Sequence, residues 1–202
     1  VFLSLMDDKA EQQLTELLAA DLDGGFTELV RVHGRAVYTF LLRVSGSATE
    51  ADDLGQDAFL RAYTALQGYA PERRRELKPR AWLLAIAANV WRNHVRTCTR
   101  RPALAGMPVE DAAGSWTDLR PGPEERAELA DDRGRLVTAL LRLPEHQRMA
   151  VVLRHVMGMS YAEVAEVQGR AVGTVKAQVS RGLRSLRGLL DSATPVKEEV
   201  TT

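Results

Sequence analysis

The sequence predicts an all-α protein: two small helical domains joined by a flexible linker, the second containing a helix-turn-helix. Three observations carry this. Apolar residues recur at three- and four-residue spacing, with no sustained apolar/polar alternation of the kind a half-buried strand needs. Aromatic residues make up only 5% of the 202 residues, while Ala, Leu and Arg, all good helix formers, are abundant. Proline and glycine crowd into residues 101–123, where Pro102, Gly106, Pro108, Gly114, Pro121, Gly122 and Pro123 leave little periodicity. The expected division is a first domain over 21–101, a linker over 102–123 and a second domain over 124–191, each domain with its own core.

In the first domain Phe26, Leu29, Val30, Val37, Phe40 and Leu41 form one apolar stripe that Gly46 breaks. Thr49 is placed to cap the next helix, which runs to about Leu66 and buries Ala51, Leu54, Ala58, Phe59, Ala62 and Leu66. Residues 67–78 read as a loop holding Gly68, Pro71 and the run Arg73, Arg74, Arg75. Pro79 suits the first turn of the following helix, whose apolar residues are Trp82, Leu83, Ile86, Ala87, Val90 and Trp91. Core packing is the expected role of both tryptophans.

In the second domain residues 124–143 form one helical pattern, and Leu143-Pro144 restarts the chain into a helix from Glu145 to Met157 that ends at Gly158. Ser160 with Glu163 makes a capping box: the hydroxyl accepts an orphan N–H and the carboxylate reaches back to the N–H of Ser160. Ala162, Val164, Ala165 and Val167 give this short helix a small apolar face, and Gly169 breaks it. A longer helix opens near Val172 and buries Val175, Val179, Leu183, Leu186 and Leu190. Its other face carries Lys176, Arg181, Arg184 and Arg187, with no acid between Gln168 and Leu190. Two helices joined by a tight glycine turn, the second basic, form the helix-turn-helix pattern suited to a DNA major groove.

Formal net charge is zero, but its distribution is uneven. Residues 73–101 hold Arg73, Arg74, Arg75, Lys78, Arg80, Arg92, Arg96, Arg100 and Arg101 against the single acid Glu76. Acids gather at 7–23, 50–57 and 110–132 and in the tail. Within a Debye length of roughly 10 Å these local patches, not the sum, set what the surface attracts. Cys98 is the sole cysteine, so no internal disulfide or cysteine-cluster zinc site is expected. His33, His94, His146 and His155 lack metal-ligand spacing and are expected on the surface or half-buried. No apolar run approaches the roughly 18 residues of a membrane span, and the start lacks the basic leading segment of a secretory signal. The expected compartment is the cytoplasm.

Two motifs, in order, resemble the extracytoplasmic-function group of the sigma-70 family, the bacterial RNA polymerase sigma factors. The first is ADDLGQDAFLRAYTAL (51–66) followed by RAWLLAIAANVWRNHVR (80–96). The second is LPEHQRMAVVLRHVMGMSYAEVAEVQGRAVGTVKAQVSRGLRSLR (143–187). The resemblance implies no catalytic residue, no metal and no cofactor. It implies docking of Asp52, Asp53, Gln56 and Asp57 onto core RNA polymerase, as an acidic face with no basic partner evident nearby in sequence. It makes Tyr69, Arg73, Arg74, Arg75, Asn89, Arg92 and Asn93 the surface for single-stranded −10 promoter DNA. An aromatic ring beside arginines suits stacking of unpaired bases, and Asn and Arg serve base edges and phosphates. Thr174, Lys176, Gln178, Ser180, Arg181 and Arg184 become the reader of −35 duplex. Ala171 stands where the family often has a capping Ser. An anti-sigma factor is a further implied partner; a membrane span and a homo-oligomer are not expected.

The alternative from another function class is a stand-alone helix-turn-helix regulator with an N-terminal ligand or dimerisation domain. It leaves the acidic helix and the aromatic-arginine loop without a role. A helical di-metal enzyme lacks the ligand spacing such sites require.

Overall fold

A computed structural model of the chain describes residues 2–100 and 134–192, with side chains over 9–98 and 134–192. The expected linker at 102–123, the start of the second domain before 134 and the tail after 192 lie outside the described residues. Every regular element among the described residues is helical.

The first half comprises α1 (Phe2–Ala20), α2 (Leu22–Ser45), α3 (Ala48–Gln67), the short α4 (Pro71–Arg75) and α5 (Pro79–Arg100). The central helix is α2, packed against α1, α3 and α5. Its stripe buries Leu29, Val37, Phe40 and Leu41 completely or nearly so, each contributing about 1.5–3 kcal/mol by leaving water. Phe26 and Val30, expected in that stripe, are only half-buried. Gly46 ends α2 in a left-handed conformation with φ 77°, its N–H donating to Leu42 O.

Four features differ from what the sequence predicts. The sequence reading began the helices at residue 21, yet α1 precedes them and supplies Leu14 and Leu18 to the core. The cap of α3 is Ser47, not Thr49: Ser47 Oγ accepts from Glu50 N at 3.3 Å. Because the left-handed Gly46 turns the chain at once, the first residue beyond it is already the cap. Residues 67–78 are not all loop, since α4 lies within them, opened by Pro71 in its first turn. His33, expected on the surface or half-buried, is buried on α2, and burial first, then the neighbouring Arg80 charge, pushes its pKa down.

The second half comprises helical residues 134–141 (α6), α7 (Glu145–Val151), α8 (Tyr161–Gln168) and α9 (Val172–Ser192). The expected helix from Glu145 to Met157 does not stay α-helical: it widens into a π-helical turn over Val152–Val156, with Met157 N donating five residues back to Val152 O at 2.9 Å. The capping box of α8 is complete, with Ser160 N to Glu163 Oε2 at 2.7 Å and Glu163 N to Ser160 Oγ at 3.2 Å. Gly169 ends α8 with φ 62°. On α9 the buried residues are Val175, Gln178, Val179, Gly182 and Leu186; Leu183 is 39% exposed instead of buried.

The two cores are not separate in this conformation. Buried side chains of both halves form one contiguous cluster, because α5 packs on α8 and α2 on α7 and its π turn.

Candidate nucleic-acid interface

The acidic face of α3 is built as its spacing implies. Asp52, Asp53 and Gln56 are exposed, Ala51, Leu54 and Ala58 point inward, and Asp57 is half-buried at the margin. One expectation fails: Asp57 has a basic partner, Arg61 one turn on, whose Nε donates to Asp57 Oδ1 at 2.8 Å. Beside the acids lies an apolar trough of about 550 Å³ lined by Phe26, Val30, Gln56, Phe59, Leu60 and Tyr63. Leu60 is 68% exposed, a large apolar side chain on a helix that had buried residues to spare. Sequence reading missed it, although its place outside the buried stripe of α3 was a usable signal. The Tyr63 hydroxyl donates to Asp23 Oδ1 at 2.6 Å, which raises the tyrosine pKa and fixes the rim.

The aromatic-arginine cluster sorts into separate roles. Tyr69 is half-buried; its ring lies 6.2 Å from that of Trp82, and the Arg73 guanidinium sits 3.8 Å from its centroid. Arg73 is exposed. Arg74 turns inward: Nε donates to Leu66 O at 3.0 Å and Nη1 to Leu18 O at 3.3 Å, tying α4 to the ends of α3 and α1. Arg75 Nε donates to Glu16 Oε2 at 3.0 Å, so α1 holds two of the three arginines. This α1 connection gave no signal in the arginine run itself.

Farther along α5, Asn89 and Asn93 are exposed and Arg92 is half-buried. Arg92 Nη2 donates to Asn89 Oδ1, joining two residues expected to serve DNA. Trp91 is buried, as expected of a core residue, and Trp82 is half-buried against the core.

On α9, Thr174, Lys176, Ser180, Arg181 and Arg184 are all exposed. Gln178 is 4% exposed; it shares the inward face with Val175, Val179 and Gly182, so it is not presented to a groove. Lys176 Nζ and the Arg154 guanidinium flank the Tyr161 ring, 5.7 Å and 5.0 Å from its centroid. Helix α9 thus presents a polar and basic stripe, backed by α7 and α8.

The chain matches the family models for Sigma-70 region 2 over residues 29–101 and Sigma-70 region 4 over 133–186. It is 36% identical over 152 residues to the ECF RNA polymerase sigma factor EcfG of Rhodopseudomonas palustris, covering 75% of this chain and 77% of that one. The chain belongs to the extracytoplasmic-function group of the sigma-70 family. Two solved sigma-factor structures share its fold. CnrH in complex with the cytosolic domain of CnrY aligns with TM-score 0.64 at 28% identity, covering 92% of this chain and 99% of that one. RpoE of Bartonella quintana in complex with the anti-sigma factor NepR aligns with TM-score 0.61 at 25% identity, covering 84% and 98%.

As a member of this group, the sigma factor is a promoter-specificity subunit of RNA polymerase, and its relatives are not enzymes. No helix among the described residues is long and apolar enough to cross a membrane.

Proposed function

We propose that this sigma factor docks on core RNA polymerase through α3, reads −35 duplex with α9 and captures unpaired −10 DNA with the Tyr69–Arg73 pair and the exposed residues of α5. The observation that carries the reading is the pairing of two unlike surfaces in one chain. The stripe of Thr174, Lys176, Ser180, Arg181 and Arg184 lies along a single exposed helix, suited to a major groove. Tyr69, with an arginine over its ring, offers a π-face, which only an unstacked base can use. The exposed Asp52, Asp53, Gln56 and Leu60 beside an apolar trough supply a protein-docking surface.

Arg74 and Arg75 brace the −10 surface rather than contact DNA, and Gln178 is left out of the −35 reader. The proposed division keeps a linker over 102–123 and a second unit over 124–191, but the first unit takes in α1 ahead of residue 21; two weak sites joined by a tether gain from effective concentration. An anti-sigma partner is supported by the NepR complex of the RpoE relative. The working compartment is the cytoplasm, and the chain acts as one copy per polymerase.

The test is holoenzyme on a promoter fragment recovered by run-off transcription. Tyr69→Ala with Asn89→Ala should leave the closed complex intact and abolish permanganate-reactive thymines. Lys176→Ala with Arg181→Ala should weaken the closed complex itself, by about 1–3 kcal/mol per lost base contact. The reverse pattern would refute the assignment.

A further inference from the structure

One of the residues offered above to opened DNA, Arg92, is already engaged by the other half of the chain. A helix leaves its last four carbonyls without intrahelical partners. For α8, Ala165 O and Glu166 O are taken by the Gly169 N–H, which ends the helix, and Ala165 O also by Arg170 N at 3.0 Å. The last two go to a single side chain from α5: Arg92 Nη1 donates to Gln168 O at 3.0 Å and Nη2 to Val167 O at 2.9 Å. A guanidinium at a helix C-terminus also meets the negative end of the helix dipole. Arg92 is therefore the C-terminal cap of the first helix of the helix-turn-helix, supplied from 75 residues away in sequence. Its remaining contact is to Asn89 Oδ1, so that oxygen is engaged as well.

The same boundary carries opposing costs. Trp91 Nε1, Glu145 Oε1, Arg148 Nε and Gln168 Nε2 are buried with no hydrogen-bond partner among the described residues. A buried polar atom left unpaired costs about 1–3 kcal/mol. Arg92 faces two further cations, Arg96 and Arg170, against one acid, Glu145; burial first, then the two cations, push its pKa down, with Glu145 opposing them. Arg92, Arg96, Arg170 and Glu145 line one cavity of about 370 Å³ together with Gln168. A second contact across the boundary lies at the end of α2, where a Cβ on Gly46 would come within 2.4 Å of Leu141 Cδ1. The closed arrangement is thus held by specific contacts and opposed by unpaired polar atoms and like charges.

We propose that Arg92 is an intramolecular latch: it fastens the helix-turn-helix half to α5 in the free chain, and it serves DNA only once that contact opens. The inference rests on the assignment of α5 to −10 DNA. Closure then withholds Arg92 from a single strand, and opening delivers it beside the exposed Asn89. If about one molecule in ten is open, forcing the chain open with Arg92 intact raises apparent affinity for single-stranded DNA by up to about tenfold.

The test uses the full chain. Cys98, exposed and the sole cysteine, takes one fluorophore, and Ser185→Cys on the exposed side of α9 takes the other. Leu141→Arg introduces a charge where the closed form packs Leu141 on Gly46, away from either proposed DNA surface. Energy transfer should fall, and affinity for a fluorescent single-stranded oligonucleotide should rise several-fold. Arg92→Lys keeps the charge but loses the two-pronged donor, so transfer should fall while oligonucleotide binding is retained. Arg92→Ala should lower transfer with no gain in binding. Unchanged transfer in both Arg92→Ala and Leu141→Arg would overturn the latch. A fall in transfer for Leu141→Arg with unaltered oligonucleotide affinity would overturn the competition between closure and DNA. Failure of the wild-type holoenzyme to open any promoter fragment, with the transfer changes as expected, would count against the proposed function and leave the latch standing.

Discussion

Gly182 of α9 lies so close to Val151 of α7 that a Cβ on the glycine would come within 2.7 Å of Val151 Cγ2. Gln147 lies next, its Cβ and carbonyl oxygen both at 3.5 Å. This contact sets how closely α9 approaches α7, and it leaves no room for a side chain.

Gly182→Val is therefore expected to destabilise the protein by about 1–3 kcal/mol, the usual range for overpacking. Val151→Ala introduced with it should recover part of the loss, a coupling expected of residues in direct contact. Urea unfolding of the two single variants and the double variant measures it; strict additivity would place the two residues apart.

Ser160→Ala should cost about 1 kcal/mol through loss of the cap of α8. The companion Glu163 carboxyl is held below its ordinary pKa, first by the Ser160 backbone N–H, then by the Ser160 hydroxyl, with smaller help from Lys78 and Arg80 against burial. A carboxylate whose folded pKa is depressed contributes stability that is fully present above its unfolded value and is lost as pH falls through the folded one. Glu163→Gln should accordingly narrow the gap in stability between neutral and acid pH, measured as urea midpoints from pH 7 downward.

Arg74→Lys should behave like Arg74→Ala. A lysine cannot span the two carbonyls, Leu66 O and Leu18 O, that the guanidinium joins, and hydrogen bonds from a charged donor are worth about 1.5–3 kcal/mol. Arg73→Lys, on the exposed residue beside Tyr69, should leave stability unchanged. Thermal unfolding of the three variants distinguishes a brace from a DNA contact: wild-type stability in Arg74→Lys would mean that charge alone matters there.

Asp53→Arg combined with Leu60→Asp should abolish co-purification with core polymerase while helical circular dichroism is retained, since both side chains are exposed. Asp57→Asn should have a smaller effect on folding, about 0.3–0.5 kcal/mol, from loss of an exposed pair one helical turn apart. Undiminished co-purification of the double variant would remove α3 from the docking surface.

Local chemistry determined much of this protein. The capping box at Ser160, the helix breaks at Gly46 and Gly169 and most of each stripe of α2, α3 and α9 follow from spacing, because each involves residues within a turn or two of one another; Phe26, Val30 and Leu183 are among the stripe residues that spacing misplaced. The family motifs lie on those same helices, so the all-helical fold and the family were legible too. What the sequence could not supply were contacts whose strength depends on what arrives from elsewhere. Gln178 is polar, yet it shares the inward face of α9 with Val175 and Gly182, and only the packing of α9 on α7 and α8 decides that. Arg74 and Arg92 belong to a basic stretch that reads as uniformly available to DNA. One is drawn inward by carbonyls of α1 and α3 and the other by carbonyls of α8. A helix end exposes its last carbonyls wherever it occurs, but which guanidinium reaches them is a property of the tertiary arrangement.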